Sequence, residues 1–280
     1  MLTDSRGRLY IVGTPIGNLD DLSPRAIAVL KKASLILCED TRHTRKLLTH
    51  FGIETSSESF HEHNEDAKAE RLLERVERGE SLALVSDAGM PLVSDPGYAI
   101  VRLARERGVV VEPVPGPFAG VLALVASGIA PLPFMFFGFA PHRQSERLDF
   151  YRDVAGRAVT AIVYESPERI VDSLRDALET LGDVECTIGR EMTKLHEEFI
   201  HGTVSEVIGT LGGRDSIRGE ITIVFAAATQ QRAETAPAVI AAEFERLRAS
   251  GMRRNDAIKA IAETFGLRKN EVYKVLVSGA

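Results

Sequence analysis

The chain predicts an α/β fold: two α/β domains with a cleft between them, followed by a small C-terminal helical unit. Three observations predict it. From Leu9 to Val114, short apolar runs alternate with helical patterns, as in a parallel sheet with crossover helices. Val114-Pro115-Gly116-Pro117 then interrupts the chain, and a second strand–helix series begins. Beyond the polar stretch Thr229–Pro237 only helical periodicity remains. The expected division is residues 1–115, 116–230 and 237–280, the first two lining the cleft.

In the first unit, Leu9–Gly13 reads as a strand running into VGTPIGN. Ser23 caps a helix whose first residue is Pro24, where the missing N–H costs nothing. Leu35–Cys38 is a strand, Thr41–Phe51 and Asp66–Arg78 are helices, and Leu82–Val85 is a buried strand. SDAGMPLVSDPG, Ser86–Gly97, separates that strand from a helix over Tyr98–Arg107, and Val109–Val114 closes the unit. The second unit reads as helix Phe118–Ala126, strand Phe134–Phe139, helix Gln144–Val154, strand Val159–Tyr164, helix Glu168–Leu181 and strand Glu185–Gly189. Thr203 caps a helix to Leu211, between two later strands, Glu198–His201 and Glu220–Ala227, for which antiparallel pairing is open. Three helices follow: Ala238–Ala249, Asn255–Phe265 with Asn255 as its cap, and Lys269–Val277 after a Gly266 C-cap. Their spacing suits a helix-turn-helix or a plain helical cap with a solvated basic face.

Composition narrows the function class. With 44% hydrophobic and 26% charged residues the chain is ordinary globular protein. No run of apolar residues is long enough to span a bilayer, and the polar start, MLTDSRGRLY, lacks a signal-peptide core. Cys38 and Cys186 lie inside apolar runs, as buried thiols do in a reducing cytoplasm. The net charge of −6 excludes coarse charge-driven nucleic-acid binding. The charge is uneven, however. Residues 236–280 carry eight Lys/Arg against five Asp/Glu, and Leu22–His50 six against two. Local basic patches on an acidic protein fit a specific, shape-read nucleic acid.

The polar residues gather at predicted strand ends, where open α/β sheets bind ligands. In Ser86–Gly97, Asp87 can accept from a ligand hydroxyl or amine, Gly89 and Gly97 admit close backbone approach, and Pro91 and Pro96 stiffen the loop. Ser94 or Asp95 as a helix cap before Pro96 explains the last four residues but not all twelve. VGTPIGN is neither a dinucleotide fingerprint nor a Walker loop, and by itself reads as a tight turn. Glu39 and Asp40 suit a helix N-terminus electrostatically; Arg42 and Arg45 in the same turn do not, and an anionic ligand explains them. Phe60-His61-Glu62-His63-Asn64 puts two histidines on one face of a strand end, with no third metal ligand at sensible spacing, so no metal is expected. Tyr164-Glu165-Ser166-Pro167 and Arg190-Glu191-Met192-Thr193-Lys194 end two strands of the second unit in the same polar way. No Ser-His-Asp or Cys-His arrangement is recognisable.

Taken in order, VGTPIGNLDDLSPRA, CEDTRHTRKLL, SDAGMPLVSDPG, VPGPFA, FFGFAP, YESPERI and REMTKLHEE resemble the tetrapyrrole-methylase superfamily over about residues 8–227. The resemblance is to its bacterial branch that methylates the ribose 2′-hydroxyl of a cytidine in small-subunit (16S) ribosomal RNA. It implies S-adenosylmethionine in the cleft, held by Asp87, Ala88, Gly89, Met90 and Pro91. Ser86 and Ala88 depart from the superfamily's Gly-Asp-Pro loop. Its Pro-Gly-x-x-Ser turn falls on Pro115–Ala119, bringing Phe118 and Ala119 to the cofactor; Ala119 replaces the Ser, so only backbone contacts persist there. Glu165 and Glu220 would line the same cavity. A ribose hydroxyl is a poor nucleophile and needs its proton removed; Asp40 or His43 would take it, with Glu39, Arg42 and Arg45 on the substrate side. Arg253, Arg254, Arg268, Lys269 and Lys274 of the helical unit would meet RNA phosphates. The expected partner is ribosomal RNA, in the assembled subunit, and the expected assembly a cytoplasmic homodimer. Two rivals remain: the same fold acting on a tetrapyrrole or a protein residue, and a DNA-binding regulator acting through the C-terminal helices.

Overall fold

The computed structural model of the chain describes residues 7–228, 237–265 and 269–278. Leu35–Cys38 (β2) and Leu82–Val85 (β4) bury all four of their residues. Such runs belong at the centre of a parallel sheet, which helices cover on both faces. Arg8–Val12 (β1), Val110–Val114 (β5) and Ser57–Ser59 (β3) complete the order β3-β2-β4-β1-β5. Every pairing is parallel, as the strand–helix alternation requires.

The alternation of side chains builds two cores. Leu9, Leu37, Leu82 and Leu84 face helices α3 (Glu65–Glu77) and α4 (Tyr98–Glu106). Val12, Ile36, Ala83 and Val85 face α1 (Pro24–Lys32) and α2 (Thr41–His50). Each fully buried Leu or Ile contributes about 1.5–3 kcal/mol. α1 starts as read: Ser23 accepts from the Ala26 N–H at 3.1 Å and Pro24 opens the helix.

The second sheet is mixed, in the order β6-β7-β10-β8-β9. Phe134–Phe139 (β6) runs parallel to Thr160–Glu165 (β7). Glu185–Arg190 (β8), Glu198–Thr203 (β9) and Ile221–Phe225 (β10) pair antiparallel. α6 (Gln144–Arg157), α7 (Ile170–Leu181) and α8 (Val204–Gly212) cover one face. α5 (Ala119–Ser127) covers the other, where Ile16 from the first half packs with Ile162 and Val224. Thr203 heads α8 with a full capping box closed by Glu206. Between α6 and α7 lies a buried Arg147–Asp176 ion pair at 2.6 Å, also held by Gln144 and the carbonyls of Pro141 and His142.

α9 (Pro237–Ala249), α10 (Arg254–Thr264) and α11 (Lys269–Ser278) share a core of Ile240, Ile258, Ile261 and Val272. Asn255 is not the cap of α10: the helix starts one residue earlier, and Arg253 holds the cap position without a side-chain bond. Most of the Thr229–Pro237 stretch, Gly266 and Arg268 lie outside the described residues.

Candidate active site

The loops that leave β1 and β4 are stitched together. Thr14 and Gly89 exchange both backbone hydrogen bonds, at 2.9 and 3.1 Å, and the Thr14 hydroxyl donates to the Ser86 carbonyl at 3.0 Å. Beside them Gly13 meets Gly116 after β5; a Cβ on Gly13 would lie 2.6 Å from the Gly116 Cα and 2.7 Å from the Met90 sulfur. VGTPIGN is therefore a tight turn with structural work to do, and it also sends Ile16 into the cleft. Gly89 sits at φ +81°, a left-handed conformation that suits glycine.

Neither Ser94 nor Asp95 caps α4, and Pro96 is not its first residue, which corrects the sequence reading. The helix begins at Tyr98, and the cap position is Gly97 at φ +126°, whose N–H donates to Glu65 at 2.7 Å. A side-chain cap needs extended backbone; instead Leu92 and Ser94 are left-handed, at φ +72° and +65°. Non-glycine residues held this way store strain, typically where a site is being shaped.

These loops and the second sheet enclose a cavity of about 390 Å³. Asp87, Ala88, Gly89, Met90, Phe118, Ala119, Glu165 and Glu220, all proposed from the sequence for the cofactor, line it together. Pro91 is buried and is not among the lining residues. Ile16, Phe118, Ala119 and Phe139 give the cavity an apolar wall. Glu165 closes one end. Its side chain is fully buried, and Oε1 accepts from the Ser166 N–H at 2.7 Å and from the Arg169 guanidinium. Among the described residues Oε2 has no hydrogen-bond partner. A buried carboxylate oxygen without a donor is costly, and a ligand's N–H or O–H would relieve it. Above it, burial pushes the Tyr164 phenol up to about 12.

Two further cavities adjoin. One, of about 350 Å³, is lined by Glu39, His61, Glu62, His63, Ser94 and Asp95. The other, of about 380 Å³, lies across the Asp87–Ala88 loop and is lined by His43, Lys46, Lys194 and Glu220 among others. His61 and His63 are not on a strand face; they follow β3 in a turn that Asn64 braces by accepting from the His61 N–H at 3.0 Å. Among the described residues no group of three or more His, Cys, Asp or Glu is placed to hold a metal ion. Both thiols are buried, and burial pushes Cys186 up to about 12.

The CEDTRHT residues part company. Glu39 reaches the second cavity, where burial and then Asp87 raise its carboxyl. Asp40 caps α2, accepting from the Arg42 N–H at 2.7 Å and from the Arg42 guanidinium; these bonds hold its carboxyl low. It lines none of the three cavities. His43 lines the third, and Arg42 and Arg45 are exposed on α2. Arg253, Arg254 and Lys269 are exposed on the helical unit, with Arg254 over the Tyr273 ring at 5.9 Å. Asp95, which the sequence offers with Ser94 only as a possible helix cap, lines both the first and the second cavity.

The sequence pattern described as Tetrapyrrole (Corrin/Porphyrin) Methylases matches residues 8–208. The chain belongs to the tetrapyrrole methylase family. Among relatives of this methylase, "Ribosomal RNA small subunit methyltransferase I" of Halalkalibacterium halodurans is 40% identical over 97% of this chain and 95% of its own. The protein of that name from Bacillus subtilis is 42% identical, over 95% and 93%. The one from Xylella fastidiosa is 46% identical, over 81% and 84%. The methylase fold recurs in uroporphyrin-III-C-methyltransferase from Thermus thermophilus (TM-score 0.57, 21% identity, 82% of this chain and 98% of that one). It recurs again in a diphthine synthase (TM-score 0.61, 14% identity, 78% and 89%). The chain is a methyltransferase.

Proposed function

We propose that this methyltransferase transfers the methyl group of S-adenosylmethionine to the ribose 2′-hydroxyl of a cytidine in small-subunit (16S) ribosomal RNA. One observation carries the cofactor half: an apolar-walled cavity of about 390 Å³ is also lined by the carboxylates Asp87, Glu165 and Glu220. That combination fits a ligand with an apolar body and hydrogen-bond donors at its ends, as S-adenosylmethionine has. Asp87 through Met90, Phe118, Ala119, Glu165 and Glu220 would hold it. The cofactor supplies, when bound, an electrophilic methyl on a positively charged sulfur.

The rest falls to the chain: bind, align and exclude water. The RNA half is supported by the near-full-length similarity to relatives named for the small ribosomal subunit. The exposed cations of α2 and of the helical unit suit phosphates; Arg42, Arg45, Arg253, Arg254 and Lys269 would dock an assembled subunit. We read three units, residues 1–115, 116–230 and 237–280, working in the cytoplasm. No helix among the described residues is long and apolar enough to cross a membrane. A homodimer is supported by exposed apolar side chains on α5 (Val125), the segment after it (Leu132) and the edge strand β6 (Phe134, Met135 and Phe139).

The test is transfer of labelled methyl to small subunits from cells lacking the protein. Label recovered as an alkali-resistant dinucleotide supports ribose methylation. Label in no RNA, with cofactor still bound, moves the substrate to a tetrapyrrole or a protein residue.

A further inference from the structure

We propose that Thr193 and Lys194 are positioning residues for cofactor binding, which rests on the S-adenosylmethionine reading above. With Gly17 and Asn18 they form a clasp between the two sheets' halves of the molecule, and the cofactor cavity holds its ligand only with that clasp closed. The cavity is walled from both halves, by Ile16 and residues 87–90 on one side and by residues 164–167 and 219–222 on the other. The turn after β1 is the joint between them. Thr14 holds the β4 loop through its two backbone bonds to Gly89. Ile16 packs with Ile162, Met192 and Val224 of the second half. The Asn18 N–H donates to the Thr193 hydroxyl at 3.1 Å. Gly17 lies directly under the turn that follows β8. A Cβ there would sit 2.7 Å from the Thr193 Oγ1 and closer still to the Lys194 Cγ. Gly17 is not among the residues with positive φ, so close approach is what its missing side chain serves.

The turn after β8 is held in shape from its other side. Glu191 and Thr193 are left-handed, at φ +50° and +66°. Strain of this kind persists only where neighbours enforce it. The Glu191 N–H donates to the Glu220 carbonyl at 3.0 Å, and the Glu191 carboxylate accepts from the Glu220 N–H at 3.0 Å and from Lys194 at 2.8 Å. The Thr193 N–H donates to Glu197 at 2.7 Å. Lys194 also pairs with the Glu220 carboxylate at 3.2 Å. Glu220 lines the cofactor cavity and, with Gly17 and Lys194, the third cavity. Lys194 thus lays its methylenes on one half and its ammonium on the cavity wall of the other. The Asn18–Thr193 bond is exposed, and such a bond is weak enough to open and close. A ligand that touches both walls favours the closed form. By linkage, whatever closure adds to ligand affinity, the ligand adds to closure.

The experiment measures S-adenosylmethionine binding to the full chain by calorimetry, its dissociation rate by stopped flow, and amide hydrogen exchange at Asn18 with and without it. Wild type is compared with Thr193→Val, Thr193→Ser, Lys194→Met and Gly17→Ala. In wild type the cofactor should slow exchange at Asn18 about tenfold or more, with the Ile53 amide beyond α2 as the remote control. Thr193→Val should raise Kd about three- to tenfold, through faster dissociation, and abolish the slowing at Asn18. Thr193→Ser, which keeps the hydroxyl, should restore both. Lys194→Met should weaken binding in the same direction, and Gly17→Ala, which pushes the turn away, should weaken it most. Urea midpoints should stay close to wild type, because the bonds removed are exposed. The proposal is overturned if the cofactor leaves Asn18 exchange unchanged, if Thr193→Val binds as wild type does, if Thr193→Ser fails as Thr193→Val does, or if lost global stability accounts for the weaker binding. Those results in a protein that binds S-adenosylmethionine overturn the clasp alone. A wild type that binds none overturns the cofactor reading, and this inference with it.

Discussion

Two buried carboxylates of the second sheet's layer show opposite solutions to the same problem. Asp176 is answered on every side: Arg147 at 2.6 Å and Gln144 at 3.0 Å hold it between α6 and α7. Glu165 is answered on one oxygen only, and the other faces no donor. Both carboxylates are nearly inaccessible, so solvent does not explain the difference. A pair closed within the protein stabilises a core; a half-closed group is set for something that arrives later. Asp95, half-buried in the lining of the same cavity, has Glu39 and Asp87 nearby, and no ion pair holds it among the described residues.

That contrast can be broken. Asp176→Ala should be the most damaging change, because it strands the Arg147 guanidinium in the core. About 3–5 kcal/mol of unfolding free energy should be lost in urea titrations, with cofactor affinity unmoved in the folded fraction. A loss below 1 kcal/mol would mean water already reaches the pair. Glu165→Gln should do the reverse, costing roughly 1.5–3 kcal/mol of cofactor binding, or about 10- to 100-fold in Kd by calorimetry. An unchanged Kd would place the ligand's donors elsewhere.

Asp95→Asn sharpens the comparison through pH. Ionising Asp95 beside Glu39 and Asp87 opposes folding, since its folded value is raised to about 7. The cost is absent below about pH 4, where the group is protonated folded and unfolded, and complete above pH 7. The variant should therefore be more stable than wild type by about 1–2 kcal/mol at pH 8, and the gap should close by pH 4. Thermal scans at the two pH values decide it; a gap that widens toward acid would reverse the sign and refute the argument. Glu198 gives the opposite curve. Arg214 and Arg190 hold its carboxyl down at about 2, so its contribution is full above about pH 4.3 and fades toward pH 2. Glu198→Gln should lower the melting temperature at pH 7 and match wild type at pH 2. The smallest effect belongs to Asp40→Ala, a slightly lowered urea midpoint for a lost helix cap.

Much of this was legible in sequence for identifiable reasons. Ser23-Pro24 and Thr203 with Glu206 are caps whose chemistry is local, so α1 and α8 begin where they were expected. β2 and β4 were plain because all four residues of each are apolar and all are buried. β3 was missed because Ser57-Glu58-Ser59 has no apolar residue; neighbouring β2 alone makes it a strand. The cofactor-side loop announced itself by Asp, Gly and Pro crowded after a strand. Asp95 did not, since Ser-Asp-Pro-Gly is also what a helix start looks like, and only the left-handed Ser94 and the Glu65 clasp on Gly97 rule that out. The orphaned oxygen of Glu165 has no sequence signature. It depends on Arg169 and Ser166 engaging one oxygen and on nothing reaching the other.

The contact of Gly13 with Gly116 sets a rule for anyone redesigning the cavity. Both backbones are already at closest approach, so neither position accepts even a methyl without parting β1 from β5. Met90 and Phe118 beside them are side chains and can be trimmed. Under the cofactor reading proposed above, those two side chains are the positions to vary for a bulkier sulfonium, with the glycine pair left as the fixed reference from which the new wall is measured.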